Sequence, residues 1–379
     1  MGTQLVGDKL HNTPQPKVAL VLDGGGVPGA LYEIGVLTAL DDVFGGSFAA
    51  TGFDFYVGTS AGAIVGAFLA NGVRPREMFT AIDEDQPNPL NFGRHDVFRF
   101  SWPEWRHCLR VVLGETLRHF SVFSRQSQPA TSFLERVQET LPPGAFSIST
   151  LEGYLCATLS RLHLQHHFPK LTHPLYVTAT DIDTGEQILL GEGEFQDVHI
   201  CTAVAASSAL PLFFRPLRIK DRDLVDGAVG SRLSVDIAVN RGADLVLNIN
   251  PFVPIENDRS RVCLPTTRGH CARITEKGIG WVASQAFRLL VAGRKRAALQ
   301  QYAQGTESEI YVIEPHGFEI TMFMHNIMDF RTRSEILHYG YQCGVRFLQE
   351  RGAEFQTALQ RPDIPASHTG LTDDGIGVS

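Results

Sequence analysis

Near its start the chain twice runs from an apolar stretch through a glycine turn into a helix pattern, and this repetition narrows its possible folds more than any other feature. Val18-Ala19-Leu20-Val21-Leu22 is a continuous apolar run, as in a parallel strand buried on both faces. It leads directly into Asp23-Gly24-Gly25-Gly26, after which Leu31, Ile34 and Leu37, with Val36 and Leu40 beside them, mark one face of a helix. The second unit reads Phe53 to Val57 as strand, Gly58-Thr59-Ser60-Ala61-Gly62 as a tight turn, and Ala63 to Ala70 as a buried helix stopped at Asn71-Gly72. Two such units in succession predict an α/β fold with a doubly wound, mainly parallel sheet. Ligands of such sheets bind beyond the carboxyl ends of the strands, where both glycine turns lie.

Downstream, 84–160 is irregular and rich in aromatic and basic residues, including Phe98, Phe100, Trp102, Trp105 and Phe120, and reads as a helical insertion or cap. Leu175 to Thr180 and Gln187 to Leu190 flank Asp183-Thr184-Gly185 as in a hairpin. A helical Ala203 to Ala209 and a further strand lead to Asp226-Gly227-Ala228. Asp244 to Ile249 and Ile310 to Ile313 are predicted strands, and Phe330 to Arg351 a closing helix. The expected organisation is a polar lead over 1–16, one domain over 17–351 with its motifs in 17–240 and a helical part in 241–351, and a tail over 352–379 with little to pack.

A net charge of −8 gives no basic footprint and argues against nucleic acid. The six cysteines, with no CxxC pair, read as free thiols in a reducing compartment. The first ten residues are too polar for a signal peptide, and no stretch reaches the roughly 18 apolar residues of a membrane span. These features place the chain in the cytoplasm, with any membrane contact peripheral. Gly2 alone is a slight hint of myristoylation, since Leu5 and Val6 stand where Ser or Thr is wanted.

Ser60 occupies a Gly-x-Ser-x-Gly turn between strand and helix, the setting of a nucleophile elbow. The helix that follows points its partial positive end at an anion forming on a reacting carbonyl. Gly24-x-Gly26-x-x-Gly29 also matches a dinucleotide fingerprint, with Asp41 or Asp42 as the ribose acid. As an oxyanion hole, the same glycines bare backbone N–H groups; as packing elements, they only let helix and strand approach. A second glycine elbow bearing a serine is needless for nucleotide binding and necessary for acyl transfer, which favours the oxyanion reading. Asp226 follows Leu224-Val225 at a strand end, so its carboxylate can face the same crevice, although Asp-Gly alone is commonly just a turn. His163, His166 and His167 cluster without a carboxylate or cysteine at ligand spacing, and Cys263, Cys271 and His270 are too loosely spaced for zinc. No metal is expected. His199 is the alternative base. Trp281 to Tyr302 sets Phe287, Leu290 and Val291 against Arg288, Arg294, Lys295 and Arg296, either as an interfacial helix or as an ordinary helix with a solvated basic face.

Four blocks in order, Asp23 to Gly29, Gly58 to Gly62, Ala203 to Pro211 with Phe214 and Pro216, and Asp226-Gly227-Ala228, make the chain resemble the patatin-like phospholipases. The resemblance covers about 17–240, with looser similarity to about Arg351. It implies a three-layer α/β/α sandwich and a Ser60–Asp226 dyad. It also implies an oxyanion hole of Gly24, Gly25 and Gly26, motif support from Gly29, Gly58, Gly62 and Gly227, and no cofactor. The implied activity is hydrolysis of lipid carboxylic esters through an acyl-enzyme, with acyltransferase, general carboxylesterase and non-catalytic lipid binder as alternatives. Where that family's loop usually carries Arg or Lys, this chain has Pro28, which turns the expectation from anionic phospholipids toward neutral glycerides or simple esters.

Overall fold

A computed structural model describes residues 15–92, 141–258, 270–305, 308–315 and 332–359, with short stretches between them. The strands are β1 (Val18–Leu22), β2 (Phe55–Thr59), β3 (Arg99–Phe100), β4 (Gly144–Ser147), β5 (Leu175–Asp181), β6 (Gln187–Leu190), β7 (Leu212–Phe214), β8 (Leu217–Ile219), β9 (Arg222–Asp226), β10 (Leu245–Ile249) and β11 (Glu309–Ile313). Eight of them form one sheet in the order β11-β10-β1-β2-β5-β9-β8, with β6 paired to β5; β3, β4 and β7 form a smaller sheet. From β11 to β5 every neighbour is parallel, whereas β6, β8 and β9 join antiparallel.

The helices that position the site are α1 (Gly26–Phe44), α2 (Ala61–Ala70), α3 (Pro75–Asp83), α4 (Ser149–Arg161), α5 (Ile200–Ser207), α6 (Ser234–Asn240), α7 (Ile279–Gly305) and α8 (Arg333–Leu359). Alternation along β1 shows why both sheet faces are covered. Val18, Leu20 and Leu22 join one core with residues of α1, α2 and α8, while Ala19 and Val21 join a second with Val235, Ile237 and Ala238 of α6 and Tyr302 of α7. The result is a mixed α/β sandwich of helices, mostly parallel sheet and helices. Pro28 falls in the first turn of α1, where a missing N–H leaves no intrahelical bond unmade.

The structure departs from the sequence-based expectations in several places. The predicted closing helix does not end at Arg351: α8 continues to Leu359 and buries Phe355 and Leu359 within what was expected to be tail. The end of the expected insertion belongs to the core, since α4 buries Leu151, Leu155 and Leu159. Phe98, Trp102, Trp105 and Phe120 lie outside the described residues, as do 1–14 and 360–379. The free-thiol reading is also corrected. Cys156 and Cys201 form a disulfide between α4 and α5, and Cys271 is disulfide-bonded too, while Cys343 is a buried thiol outside any disulfide. A separation of 45 residues conceals the first pairing in the sequence, and helix packing brings the two Cα atoms to 5.4 Å.

Candidate active site

Strand register delivers the two principal residues to one place. Thr59, last in β2, pairs with Thr178 of β5, and the next residue of β5, Ala179, pairs with Asp226 at the end of β9. Ser60 and Asp226 therefore leave the sheet at the same level, and the Ser60 hydroxyl faces the Asp226 carboxylate. On the other side of β2, Leu22 pairs with Gly58, so the glycine loop that follows β1 borders Ser60.

Ser60 has φ 55° and ψ −121°, a backbone region that L-residues rarely occupy and that is held only by its surroundings. Part of that hold is explicit: its N–H donates to Ser207 Oγ at 2.8 Å, and its C=O accepts from Ala63 N–H at 3.0 Å. α2 begins at the next residue, which aims the helix N-terminus at the serine. Asp226 is almost wholly buried and also accepts the Ala228 N–H at 2.9 Å. Burial pushes its carboxyl up to about 6, against the lowering effect of the Ser60 and Ala228 hydrogen bonds.

Gly24 is fixed by contact: a Cβ there would lie 3.0 Å from Ser60 Cβ and 3.6 Å from its Oγ. Gly58, Gly62 and Gly227 likewise pack directly on neighbouring atoms, and Gly25 and Gly29 pack on Pro251. Gly26 opens α1. Among the described residues, the Gly24 and Gly25 N–H groups donate to no protein acceptor. Below the turn, Thr59 Oγ1 lies 2.6 Å from both Thr178 Oγ1 and Ser234 Oγ, a buried hydroxyl chain joining β2, β5 and α6.

A cation does stand beside the glycine loop, although Pro28 removes the usual one. Lys295 of α7, 5% exposed, donates to Asp23 Oδ2 at 3.2 Å, and Asn248 donates to the same oxygen at 2.9 Å. Its neighbour Arg294 donates to the carbonyls of Ala228 (2.7 Å) and Gly230. Adjacent residues of one helix thus hold both loops that flank Ser60. This overturns the solvated basic face expected of this helix: Arg288 and Lys295 are buried, and Leu289 and Leu290 are exposed. Sequence reading misses the roles of Ser207, Arg294 and Lys295. Ser207 lies in a recognised block without a distinguishing signal, and Lys295 meets Asp23 across 272 residues.

The other candidates fall elsewhere. His199 caps α5 with its ring against His167 at 4.5 Å and His166 at 6.5 Å. Cys156, His166 and Cys201 bring ligand atoms within 4.8 Å of one another, a grouping invisible in the sequence, but the two sulfurs are bonded to each other. Asp41 and Asp42 sit at the end of α1, not at a strand end; Asp41 accepts Ala49 N–H and Asp42 pairs with Arg76. Neither is placed to meet a ribose beyond the sheet, so the dinucleotide reading loses its acid. A cavity of about 410 Å³ opens between Lys17, Phe55, Tyr176 and Arg241, at the amino ends of β1, β2 and β5, away from Ser60 and Asp226.

A strained serine at a strand-to-helix turn thus stands beside a buried carboxylate on an α/β sandwich. The sequence profile of the patatin-like phospholipases matches residues 20–239, and the chain belongs to that family. It is 23% identical over 253 residues to the uncharacterized protein YqhO of Bacillus subtilis, a match covering 64% of this chain and 73% of that protein. It also aligns with the crystal structure of VipD from Legionella pneumophila (TM-score 0.36, 14% identity, 89% of this chain and 67% of that one). With the type III effector ExoU the TM-score is 0.33 at 17% identity, covering 89% of this chain and 54% of that one. In the ExoU–SpcU complex of Pseudomonas aeruginosa the values are 0.27 and 18%, with 60% of that chain covered.

Proposed function

We propose that the protein hydrolyses carboxylic esters of lipids through a Ser60–Asp226 dyad. The carrying observation is the β2–β5–β9 register, which brings the Ser60 hydroxyl onto a buried carboxylate whose basicity is raised by burial. Asp226 takes the hydroxyl proton as Ser60 Oγ attacks the ester carbonyl. Its protonated carboxyl then returns that proton to the leaving alcohol as the acyl-enzyme forms. In the second half Asp226 takes a proton from water, the hydroxide attacks the acyl carbonyl, and Ser60 leaves reprotonated with the fatty acid free. The N–H groups of Gly24, Gly25 and Gly26, with the start of α2, stabilise the oxyanion in both halves. No metal or organic cofactor has a step in this sequence.

Among the described residues no helix is long and apolar enough to cross a membrane, and we infer peripheral contact with a lipid surface. Disulfide bonding of Cys156, Cys201 and Cys271 favours an oxidising compartment over the cytoplasm. The test of the catalytic reading is covalent labelling with a fluorophosphonate lipid analogue, with peptide mapping and Ser60→Ala as control. Label on Ser60, absent from the variant, supports the dyad; a folded protein that takes no label would turn the reading to a non-catalytic lipid binder.

A further inference from the structure

α7 is partly inverted. Over Ile279–Gly305 its inward side carries buried charges beside Trp281 and Tyr302, which pack on the two cores: Arg288 is 8% exposed, donates to the Val253 carbonyl at 2.8 Å and lies 4.4 Å over the Phe252 ring. Two turns on, Lys295 is buried against Asp23. Its outward side carries the aliphatics: Ile279 is 90% exposed, Val282 42%, Leu289 55% and Leu290 68%. Between them come Ala283, Ala286 and Gly293, exposed and uncharged, and the first exposed charge along this face is Arg296. Isolated surface leucines are ordinary, but an outward helix face without charge from Ile279 to Gly293, backed by buried cations, is not.

The charge pattern selects what covers it. The whole chain holds 41 acidic residues among 379, a frequency at which a helix of 27 residues would contain about three; α7 contains none. An acid-free helix in a chain of net charge −8 lowers repulsion from a negative surface at this one place. Four aliphatic side chains on one helix fall well short of the about 800 Å² per partner of a stable protein interface. They suit the shallow immersion of a surface-lying helix, with Arg296 reaching to the head groups.

We infer that α7 docks this protein on a lipid surface carrying anionic head groups, with Ile279, Val282, Leu289 and Leu290 entering the acyl boundary. The inference rests on the lipid-ester reading above and adds where the surface is met. Through Arg294 and Lys295 the same helix holds the Asp226 turn and the glycine loop, so docking sets the catalytic end of the sheet at a fixed distance from the lipid. Leu212, 75% exposed, adds an apolar tip three residues beyond Ala209, whose carbonyl accepts the Asp226 N–H at 3.0 Å.

Flotation of the full chain tests this, using vesicles of phosphatidylcholine alone or with about one-third phosphatidylserine. Wild type is expected to float with the mixed vesicles, and Leu289→Asp/Leu290→Asp to lose about tenfold or more of that binding. The variant's melting temperature and its rate on a water-soluble butyrate ester should match wild type, while its rate on vesicle lipid falls with binding. Leu289→Ser/Leu290→Ser is the substitute if the aspartates impair folding. Ser60→Ala should float like wild type, which separates docking from catalysis. A wild type that does not float, or a double variant that floats equally well, overturns the inference. A dimer in gel filtration that the double variant turns into monomer would instead give the face to a second copy.

Discussion

In the proposed dyad, Asp226 must accept a proton from a hydroxyl that holds it far more tightly than a carboxylate normally does, and burial is what narrows the gap. With its carboxyl at about 6, the group is ionised and able to act above that pH. The rate on a soluble ester should therefore fall about tenfold per unit below pH 6, as a single-group acid limb. Stability should run the other way. The folded state binds the proton more tightly than the unfolded chain between 3.8 and about 6, so ionisation weakens the fold as pH rises through that window, and the whole penalty is present above it. Asp226→Asn should abolish turnover yet raise unfolding free energy at pH 8 by up to about 3 kcal/mol, with little gain near pH 4, in urea titrations at both pH values. An equal gain at both would show that the charge is not the cause. At Ser60 the strain separates two inactive variants: Ser60→Gly, at ease at φ 55°, should be about 1 kcal/mol more stable than Ser60→Ala.

Elements outside the strands that carry them hold these residues in place. α7 grips both loops beside Ser60, so Lys295→Met should lower kcat with KM on a soluble ester nearly unchanged, and Lys295→Arg should restore part of it. Loss of KM alone would make Lys295 a substrate contact instead. α5 carries Ser207, which holds the Ser60 amide, and the Cys156–Cys201 disulfide ties α5 to α4. Closing a separation of 45 residues is worth about 4 kcal/mol in chain entropy, so Cys156→Ser should lower stability by that order in denaturant unfolding. Such ties explain what sequence discloses at this scale. β1, β2 and β10 are legible because burial on both faces demands unbroken apolar runs, and the elbow is legible because its geometry demands small residues. β9, reading Arg-Asp-Leu-Val-Asp, has no such period, and its antiparallel place beside β5 comes from long-range pairing. Asp226 could therefore be named from its motif, while its neighbours could not. The inverted face of α7 is hidden for the same reason, since its cations are buried by partners far off in the chain.

At the scale of the whole molecule the sandwich is closed by its last described helix. α8 lies along α1, and its final turns supply Phe355 and Leu359, 0% and 1% exposed. Phe355 meets Phe44 of α1, Phe48, Tyr311 of β11 and Phe347, with ring centroids 5.2–6.5 Å apart. It thus joins the helix that follows the glycine loop to the strand at the far edge of the sheet. The helical pattern in the sequence fades near Arg351 because Glu350, Arg351, Glu354 and Gln356 make this stretch look solvated, yet Gly352, Phe355 and Leu359 still recur at helical spacing. Phe355→Ala should cost about 3–5 kcal/mol, the range for removing an aromatic ring from a core. A chain ended at Arg351 loses this ring and Leu359 together and should fail to fold, whereas a true tail could be cut there without effect. Urea unfolding of Phe355→Ala and the solubility of the 1–351 chain measure the two. A stable, active 1–351 protein would show that α1 and β11 hold the sandwich together without the closing turns.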